Sequence, residues 1–136
     1  MENCIFCKIV RGELPSEKIY EDENTFAFLD RKPVNPGHTL VIPKKHSDNL
    51  YEADDSDLAA TIVMARKVAS AIKKALGAQG INVHINNDRA AGQVVFHIHL
   101  HVIPRYNGDG RELWRGNEID AKTFPAIAEK IRGSIK

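Results

Sequence analysis

Three histidines alternate with large aliphatic residues in segment 97–104, His-Ile-His-Leu-His-Val-Ile-Pro. Because successive side chains of a β-strand point to opposite faces, a strand here puts His97, His99 and His101 on one face and aliphatic side chains on the other. The alternatives are an ordinary half-buried strand and a metal-scavenging tract. We favour a functional face, because it carries half of the chain's six histidines.

The spacing along such a strand limits how its histidines can cooperate. His97 and His101 would stand about 13 Å apart at their Cα atoms. That span is too long for both rings to reach one zinc ion through bonds of about 2 Å. The three histidines are therefore expected to divide between different roles.

The overall composition is typical of a globular protein. A chain of 136 residues can bury a core without disulfides, and 43% hydrophobic with 27% charged residues is an ordinary balance. The net charge of +1, with both signs interspersed, provides no basic surface for nucleic acid, and no basic amphipathic helix suggests a membrane surface. Neither a signal peptide nor a membrane span is evident. We expect one domain, 1–136, in the cytoplasm, with a small-molecule partner, no nucleic acid and no membrane.

Hydrophobic periodicity and turn residues predict the secondary structure. His84, alone in its predicted strand, is interpreted as a surface or hydrogen-bonded histidine rather than a ligand. The predicted elements are a short helix over 4–14, strands over 19–22, 25–30 and 39–42, a long amphipathic helix over 56–76, a strand over 80–86 and a terminal helix over 123–135.

The only two cysteines, Cys4 and Cys7, form a C-x-x-C pair. A structural disulfide is not expected in a reducing compartment, and a thioredoxin-type pair would follow a strand, so metal binding is the better interpretation. With His46 and one histidine of the triple they make a closed tetrahedral zinc site, which stabilises rather than catalyses. The alternative is two buried cysteines and a surface His46.

The remaining histidines are candidates for nucleophilic or acid–base chemistry. Neutral imidazole is available and nucleophilic near pH 7, which makes His99 and His101 candidates, with His38 as a neighbour. No G-x-S-x-G motif offers a serine nucleophile. Asn86, Gln93 and the imidazoles could neutralise phosphoryl oxygens, which favours attack on phosphorus. A non-enzymatic nucleotide-binding protein and a catalytic zinc hydrolase remain as alternatives.

Taken together, these motifs resemble the histidine triad (HIT) family. The resemblance runs from Cys4 to Arg105 and rests on the order of several segments. They are 5–9 (Ile-Phe-Cys-Lys-Ile), 26–30 (Phe-Ala-Phe-Leu-Asp), 36–38 (Pro-Gly-His), 40–46 (Leu-Val-Ile-Pro-Lys-Lys-His), Gly92-Gln93 and the H-x-H-x-H-x-x signature at 97–103.

The resemblance implies an α+β fold, with an antiparallel sheet, one long helix and short N-terminal and C-terminal helices (motif core 4–105, tail helix 121–136), usually as a homodimer with a continuous sheet. It also implies a hydrolase or transferase in which His99 attacks the α-phosphorus of a purine nucleotide to form a nucleotidyl-histidine. His101, His38 and Gln93 are then catalytic partners. The implied nucleotide-binding residues are Phe6, Ile9, Phe28, Leu29, Asp30, Asn86, Gln93, His99 and His101, and the implied ligands of a structural Zn²⁺ are Cys4, Cys7, His46 and His97.

Within the family the chain is similar to the zinc-containing branch, to HINT-like nucleotide phosphoramidases and to dinucleoside polyphosphate hydrolases. Val94 follows Gly92-Gln93 where several branches have Ser or Thr, so a hydroxyl that could assist the leaving group is missing. The segment after Arg105 also lacks the Trp-Pro-Pro-Gly tail of the phosphoramidase branch. We expect adenosine 5′-phosphoramidates as substrates, with dinucleoside polyphosphates as the alternative, for which Arg89 and Arg105 are candidate phosphate contacts.

Overall fold

The computed structural model describes residues 2–136, so the first residue of the predicted domain lies outside it. It is an α+β fold, as predicted. The elements are α1 (Ile5–Val10), β1 (Lys18–Glu21), β2 (Thr25–Leu29), β3 (Thr39–Pro43), α2 (Asp55–Leu76), β4 (Gly80–Ile85), β5 (Leu100–Arg105) and α3 (Phe124–Ser134), with 3₁₀ turns at Arg89–Ala91 and Ala121–Thr123.

The five strands form one antiparallel sheet in the order β1-β2-β3-β5-β4. The apolar strand β3 is central and buried along its whole length, as its composition predicts. The strand ends at Pro43, one residue beyond the predicted range. The edge strands are β1 and β4, so β4 ends one side of the sheet.

The two faces of the sheet are covered differently. Helix α2 packs on one face, where Met64 and Val68 meet inward residues of three strands such as Val41 and Val102. The opposite face carries an aromatic cluster that includes Phe6 of α1. Because side chains alternate along β5, His101 lies on this second face, which we call the histidine face.

The histidine segment is shorter as a strand than predicted. β5 begins at Leu100, so only His101 of the three histidines lies within it, and His97 and His99 precede it in irregular backbone. There the Ile98 N–H donates a hydrogen bond to the Ser47 carbonyl at 2.8 Å instead of to a neighbouring strand. The prediction of one strand through all three histidines was therefore wrong, although the rings of His97 and His99 still contact Phe6 on the histidine face and His99 lies next to His101.

Two apolar helix faces are more exposed than their periodicity suggested. The buried side of α2 is formed by Thr61, Met64, Ala65, Val68 and Ile72. The predicted face included Ile62, which is 52% exposed. On α3, Phe124, Ile127 and Ile131 are all exposed. No helix in the part of the chain that the structure describes is long and apolar enough to cross a membrane.

Candidate functional site

Cys4, Cys7, His46 and His97 converge although their sequence positions are far apart, and their ligand atoms all lie within 4.8 Å of one another. The His97 Nδ1 atom is 3.4 Å from the Cys4 Sγ atom and 3.5 Å from the Cys7 Sγ atom, and the His46 Nδ1 atom is 3.4 Å from the Cys7 Sγ atom. Ligands 2.0–2.3 Å from one tetrahedral ion are separated by about 3.6 Å. The cluster therefore has the chemistry and the size of a zinc site.

The outward ring atoms of both histidines support the same assignment. The His97 Nε2–H donates to the Pro43 carbonyl at 2.8 Å, and the His46 Nε2–H donates to an Asp48 carboxylate oxygen at 2.8 Å. Each ring thereby presents the unprotonated Nδ1 atom to the thiols, as metal-binding histidines do. Burial lowers the pKa of His97 to about 4, which keeps its ring neutral and able to act as a ligand.

His99 has a ring whose orientation is set by the backbone and by an aromatic neighbour. Its Nδ1–H donates to the His97 carbonyl at 2.7 Å, so Nε2 carries the lone pair. The Phe6 ring meets it edge to face with centroids 5.1 Å apart. Burial lowers the pKa of His99 below its ordinary value. The result is a fixed, neutral imidazole whose free nitrogen is Nε2.

His38 and His101 form a hydrogen-bonded pair next to His99. The Val34 N–H donates to His38 Nδ1 at 3.0 Å, which leaves the His38 proton on Nε2, and this Nε2–H donates to His101 Nδ1 at 2.9 Å. The proton of His101 is therefore on its Nε2. Burial, followed by the neighbouring imidazoles His99, His84 and His38, lowers the pKa of His101 to about 3. Burial also lowers the pKa of His38.

Gly37 is required at the turn that delivers His38. Its φ of +98° is in the left-handed region, and a Cβ atom there would collide with the Leu76 side chain at the end of α2. The Pro-Gly-His segment noted in the sequence therefore lies close to the end of α2, just before β3 begins.

Asp30, His38 and His101 are a second group of residue types that bind metals. An Asp30 carboxylate oxygen lies 3.6 Å from the His38 Nε2 atom. However, that Nε2 atom bears the proton, because the Val34 N–H occupies Nδ1. The hydrogen bonding therefore suits proton movement better than metal binding and weakens the zinc hydrolase alternative.

Gln93 is buried, but its amide faces the loop backbone rather than the histidines. Its Oε1 atom accepts from the Asp88 N–H at 2.8 Å, and its Nε2 donates to the carbonyls of Asp48 and Val95 at 2.6 and 3.1 Å. Gln93 thus ties the loop that follows β4 to the segment after His46. Asn86 begins this loop, and Val94 is 82% exposed beside it.

Three of the four apolar residues assigned to a base-binding slot lie together on the histidine face. Phe6 and Phe28 are buried in contact, with ring centroids 5.4 Å apart, and the partly buried Ile9 packs against their cluster. Leu29 points to the other face of the sheet, on the same side as Ala27, which packs against α2, so its assignment to the slot was wrong. Because Phe6 also touches His99, this cluster joins the core of the sheet to the imidazoles.

His84 is the site residue that the sequence interpretation missed. It is half-buried, it pairs directly opposite His101 in the β4/β5 register, and their rings are stacked with centroids 4.7 Å apart. The usable signal was that 80–86 and 97–103 were both predicted strands. Antiparallel pairing of the two would have aligned these histidines, but their register could not be read from sequence.

The two arginines proposed as phosphate contacts differ in availability. Arg105 is held by both oxygens of Asp109, at 2.8 and 3.1 Å, and by the Asn82 side chain at 2.7 Å. Because its guanidinium is paired with Asp109, Arg105 is less available to a phosphate than an unpaired arginine, and its role as a phosphate contact stays a prediction. Arg89 is exposed, with its guanidinium 5.2 Å from the centroid of the Phe96 ring.

Comparison with known proteins places these features in a family. A family model described as the HIT domain matches residues 11–108. The Bacillus subtilis protein named "Protein hit" is 47% identical over 136 residues, covering 98% of this chain and 92% of its own. The Schizosaccharomyces pombe adenosine 5′-monophosphoramidase hnt1 is 40% identical over 139 residues, covering 98% and 99%. The Arabidopsis thaliana adenylylsulfatase HINT3 is 46% identical over 117 residues, covering 86% and 58%.

Solved structures agree with the fold. A crystal structure of a HIT family member from Bacillus subtilis superposes with a TM-score of 0.90 at 40% identity, covering 98% of each chain. A zinc-bound histidine triad family protein from Mycobacterium smegmatis superposes with a TM-score of 0.79 at 39% identity, covering 98% of this chain and 99% of its own. By sequence, fold and the arrangement of its histidines, this chain belongs to the HIT family.

Proposed function

We propose that the chain is a nucleotide hydrolase or transferase that acts at the α-phosphorus of AMP derivatives through a covalent nucleotidyl-histidine. The observation that carries this proposal is the tautomer of His99. Because its Nδ1–H is held by the His97 carbonyl, the Nε2 lone pair is free to attack. A relative named as a monophosphoramidase and another named as an adenylylsulfatase support a nucleotide substrate.

In the first step the His99 Nε2 atom forms a bond to the α-phosphorus, and the bond from phosphorus to the leaving group breaks. An amine leaving group takes up a proton as it departs, and the proposed donor is the Nε2–H of His101. The anionic phosphate favours prior protonation of the His38–His101 pair, because an opposite charge raises the pKa of an imidazole. Water then attacks the phosphorus, returns a proton to the pair and releases AMP and His99.

The surrounding residues take supporting roles in this proposal. Phe6, Ile9 and Phe28 form the apolar slot for the purine base, Asp30 binds the ribose, and Asn86 contacts the phosphate. Since the Gln93 amide is engaged by backbone groups, we propose that it acts by holding the loop rather than by donating to phosphoryl oxygens.

We also propose that a structural zinc ion is bound by Cys4, Cys7, His46 and His97. A bound zinc ion would cross-link these side chains and contribute to folding, as closed tetrahedral sites do. The thiols of Cys4 and Cys7 are free, and burial raises the pKa of Cys7. The cytoplasm, which keeps thiols reduced, is the proposed location.

The substrate class is tested by comparing leaving groups. We expect a higher kcat/KM for adenosine 5′-phosphoramidate than for diadenosine tetraphosphate, with turnover unchanged by a chelator that removes free metal. Arg89→Ala should reduce only the polyphosphate reaction, whereas Arg132→Ala, exposed on α3, serves as its control. A preference for the polyphosphate would reverse the proposed order, and absence of turnover on both would favour a nucleotide-binding protein.

A homodimer is the proposed assembly. Ile62 and Val63 of α2 and Val83 of the edge strand β4 are exposed and line a cavity of about 350 Å³. A second copy would cover these apolar residues and extend the sheet past β4. Analytical ultracentrifugation should give twice the chain mass. Ile62→Glu should yield monomers and Tyr51→Glu should not, whereas a monomeric wild type would contradict the proposal.

A further inference from the structure

His84 and His101 face each other across the β4/β5 pairing, on the histidine face of the sheet. Their ring centroids are 4.7 Å apart and their planes differ by only 23°. Directly opposed residues on one face are the pairs through which strands interact most strongly. His84 is therefore the closest neighbour of the flat surface of His101.

The other imidazoles meet His101 at an angle. The planes of His38 and His99 are inclined to it by 52° and 57°, with centroids 5.2 and 5.0 Å away. The hydrogen bond from His38 fixes the His101 Nδ1 atom, but one such bond leaves the ring free to tilt about it. Among the aromatic contacts of the described residues, the stack with His84 is the one most nearly parallel to that ring.

His84 also separates His101 from a cavity of about 400 Å³. The cavity is lined by Val34, Asn82, Arg111 and Trp114 among others, and the Trp114 ring lies 6.4 Å from His84 between centroids. Burial lowers the pKa of His84, which favours its neutral form at pH 7. The edge strand thus offers a neutral, planar support beside the proposed proton donor.

We propose that His84 is a positioning residue, which by stacking on His101 holds that ring in the plane from which its Nε2–H reaches a departing group. This inference rests on the proposed function, since it presupposes a leaving group to be protonated. Amines need this proton in order to depart, whereas sulfate departs as a stable anion. Loss of the stack should therefore slow the reaction of substrates that release an amine and leave the reaction of substrates that release sulfate nearly unchanged.

The kinetic test compares adenosine 5′-phosphoramidate with adenosine 5′-phosphosulfate. His84→Ala should lower kcat for the phosphoramidate about tenfold, the factor expected when an aromatic pair that fixes a proton donor is lost. KM and the phosphosulfate reaction should change by no more than about twofold. His84→Phe keeps a stacking ring and should retain activity. In a His101→Ala background, His84→Ala should have no further effect.

A second measurement does not depend on turnover. NMR relaxation of the His101 ring should report one fixed ring orientation in the wild type and in His84→Phe, and increased ring motion in His84→Ala. If the ring motion and the leaving-group dependence are both unchanged in His84→Ala, the inference is wrong. An equal loss of kcat on both substrates with a raised KM would also overturn it. If neither nucleotide reacts but the ring motion still depends on His84, the positioning role stands and the proposed function fails.

Discussion

His99→Ala is expected to abolish nucleotide turnover, by at least about 10⁴-fold, because it removes the atom that forms the bond to phosphorus. Binding of AMP should change little, since the proposed base slot and ribose contact remain. Steady-state kinetics with adenosine 5′-phosphoramidate and calorimetric titration with AMP measure the two effects separately. The wild type, quenched without acid, should show an AMP adduct on His99 by mass spectrometry.

Removal of this ring also takes a contact from Phe6, so the variant needs a control for folding. His99→Gly with added imidazole provides one, because a free imidazole in the vacated space can restore the attacking nitrogen. Partial recovery of turnover with imidazole would separate chemistry from stability. His38→Ala and His101→Ala should be slower but not inactive. Full activity in His99→Ala would refute the nucleophile assignment.

Among the changes proposed for this protein, loss of the proposed zinc site should have the largest effect on the free energy of unfolding. Cys7 is buried, and α1 joins the rest of the fold through this site and the Phe6 cluster. We expect Cys7→Ala to lower the free energy of unfolding by about 4 kcal/mol and Tm by roughly 10–20 °C, while kcat at moderate temperature changes less. Differential scanning calorimetry and elemental analysis, with about one zinc ion per chain, provide the test.

A comparison with the metal-free protein separates the metal from the side chain. If the effect comes from zinc, Cys7→Ala should lower the free energy of unfolding only slightly in protein from which a strong chelator has removed the metal. Lys8→Ala, at the neighbouring position of α1, is the matched control and should leave metal content unchanged. The proposed site would be excluded if protein purified without added zinc contained no metal and was as stable as protein that contains zinc.

Local sequence patterns were sufficient to predict most elements of the fold. The apolar run at 39–42 predicts a central strand because only a strand buried on both faces tolerates such composition. The helical period over 56–76 predicts α2 to within one residue at its start, and Gly77 ends the helix with a φ of +67°. These features depend on steric and hydrophobic preferences of neighbouring residues, which the sequence contains directly.

The residue types in the sequence also indicated which side chains form a site together, but not how these side chains are arranged in space. A C-x-x-C pair and an excess of histidines predict a metal site and an imidazole site from donor properties alone. The grouping of His99 and His101 with His38 followed from imidazole chemistry, and the assignment of His97 to the cysteines followed from resemblance. The structure supplies its physical basis, because the irregular backbone ahead of Leu100 turns the His97 ring toward Cys4 and Cys7.

Only the tertiary structure decided the ring tautomers, the engagement of Gln93 and Arg105, and the place of His84. Several of these features depend on a partner far along the chain, such as the Pro43 carbonyl for His97, Asp48 for Gln93 and His101 for His84. Those partners are set by strand register and by loop paths. A strand that slips by one residue turns every side chain to its other face, so alternation alone does not determine which residues meet. The sequence by itself determined most elements and the residue types available for chemistry, and the packing of the sheet determined which imidazoles meet.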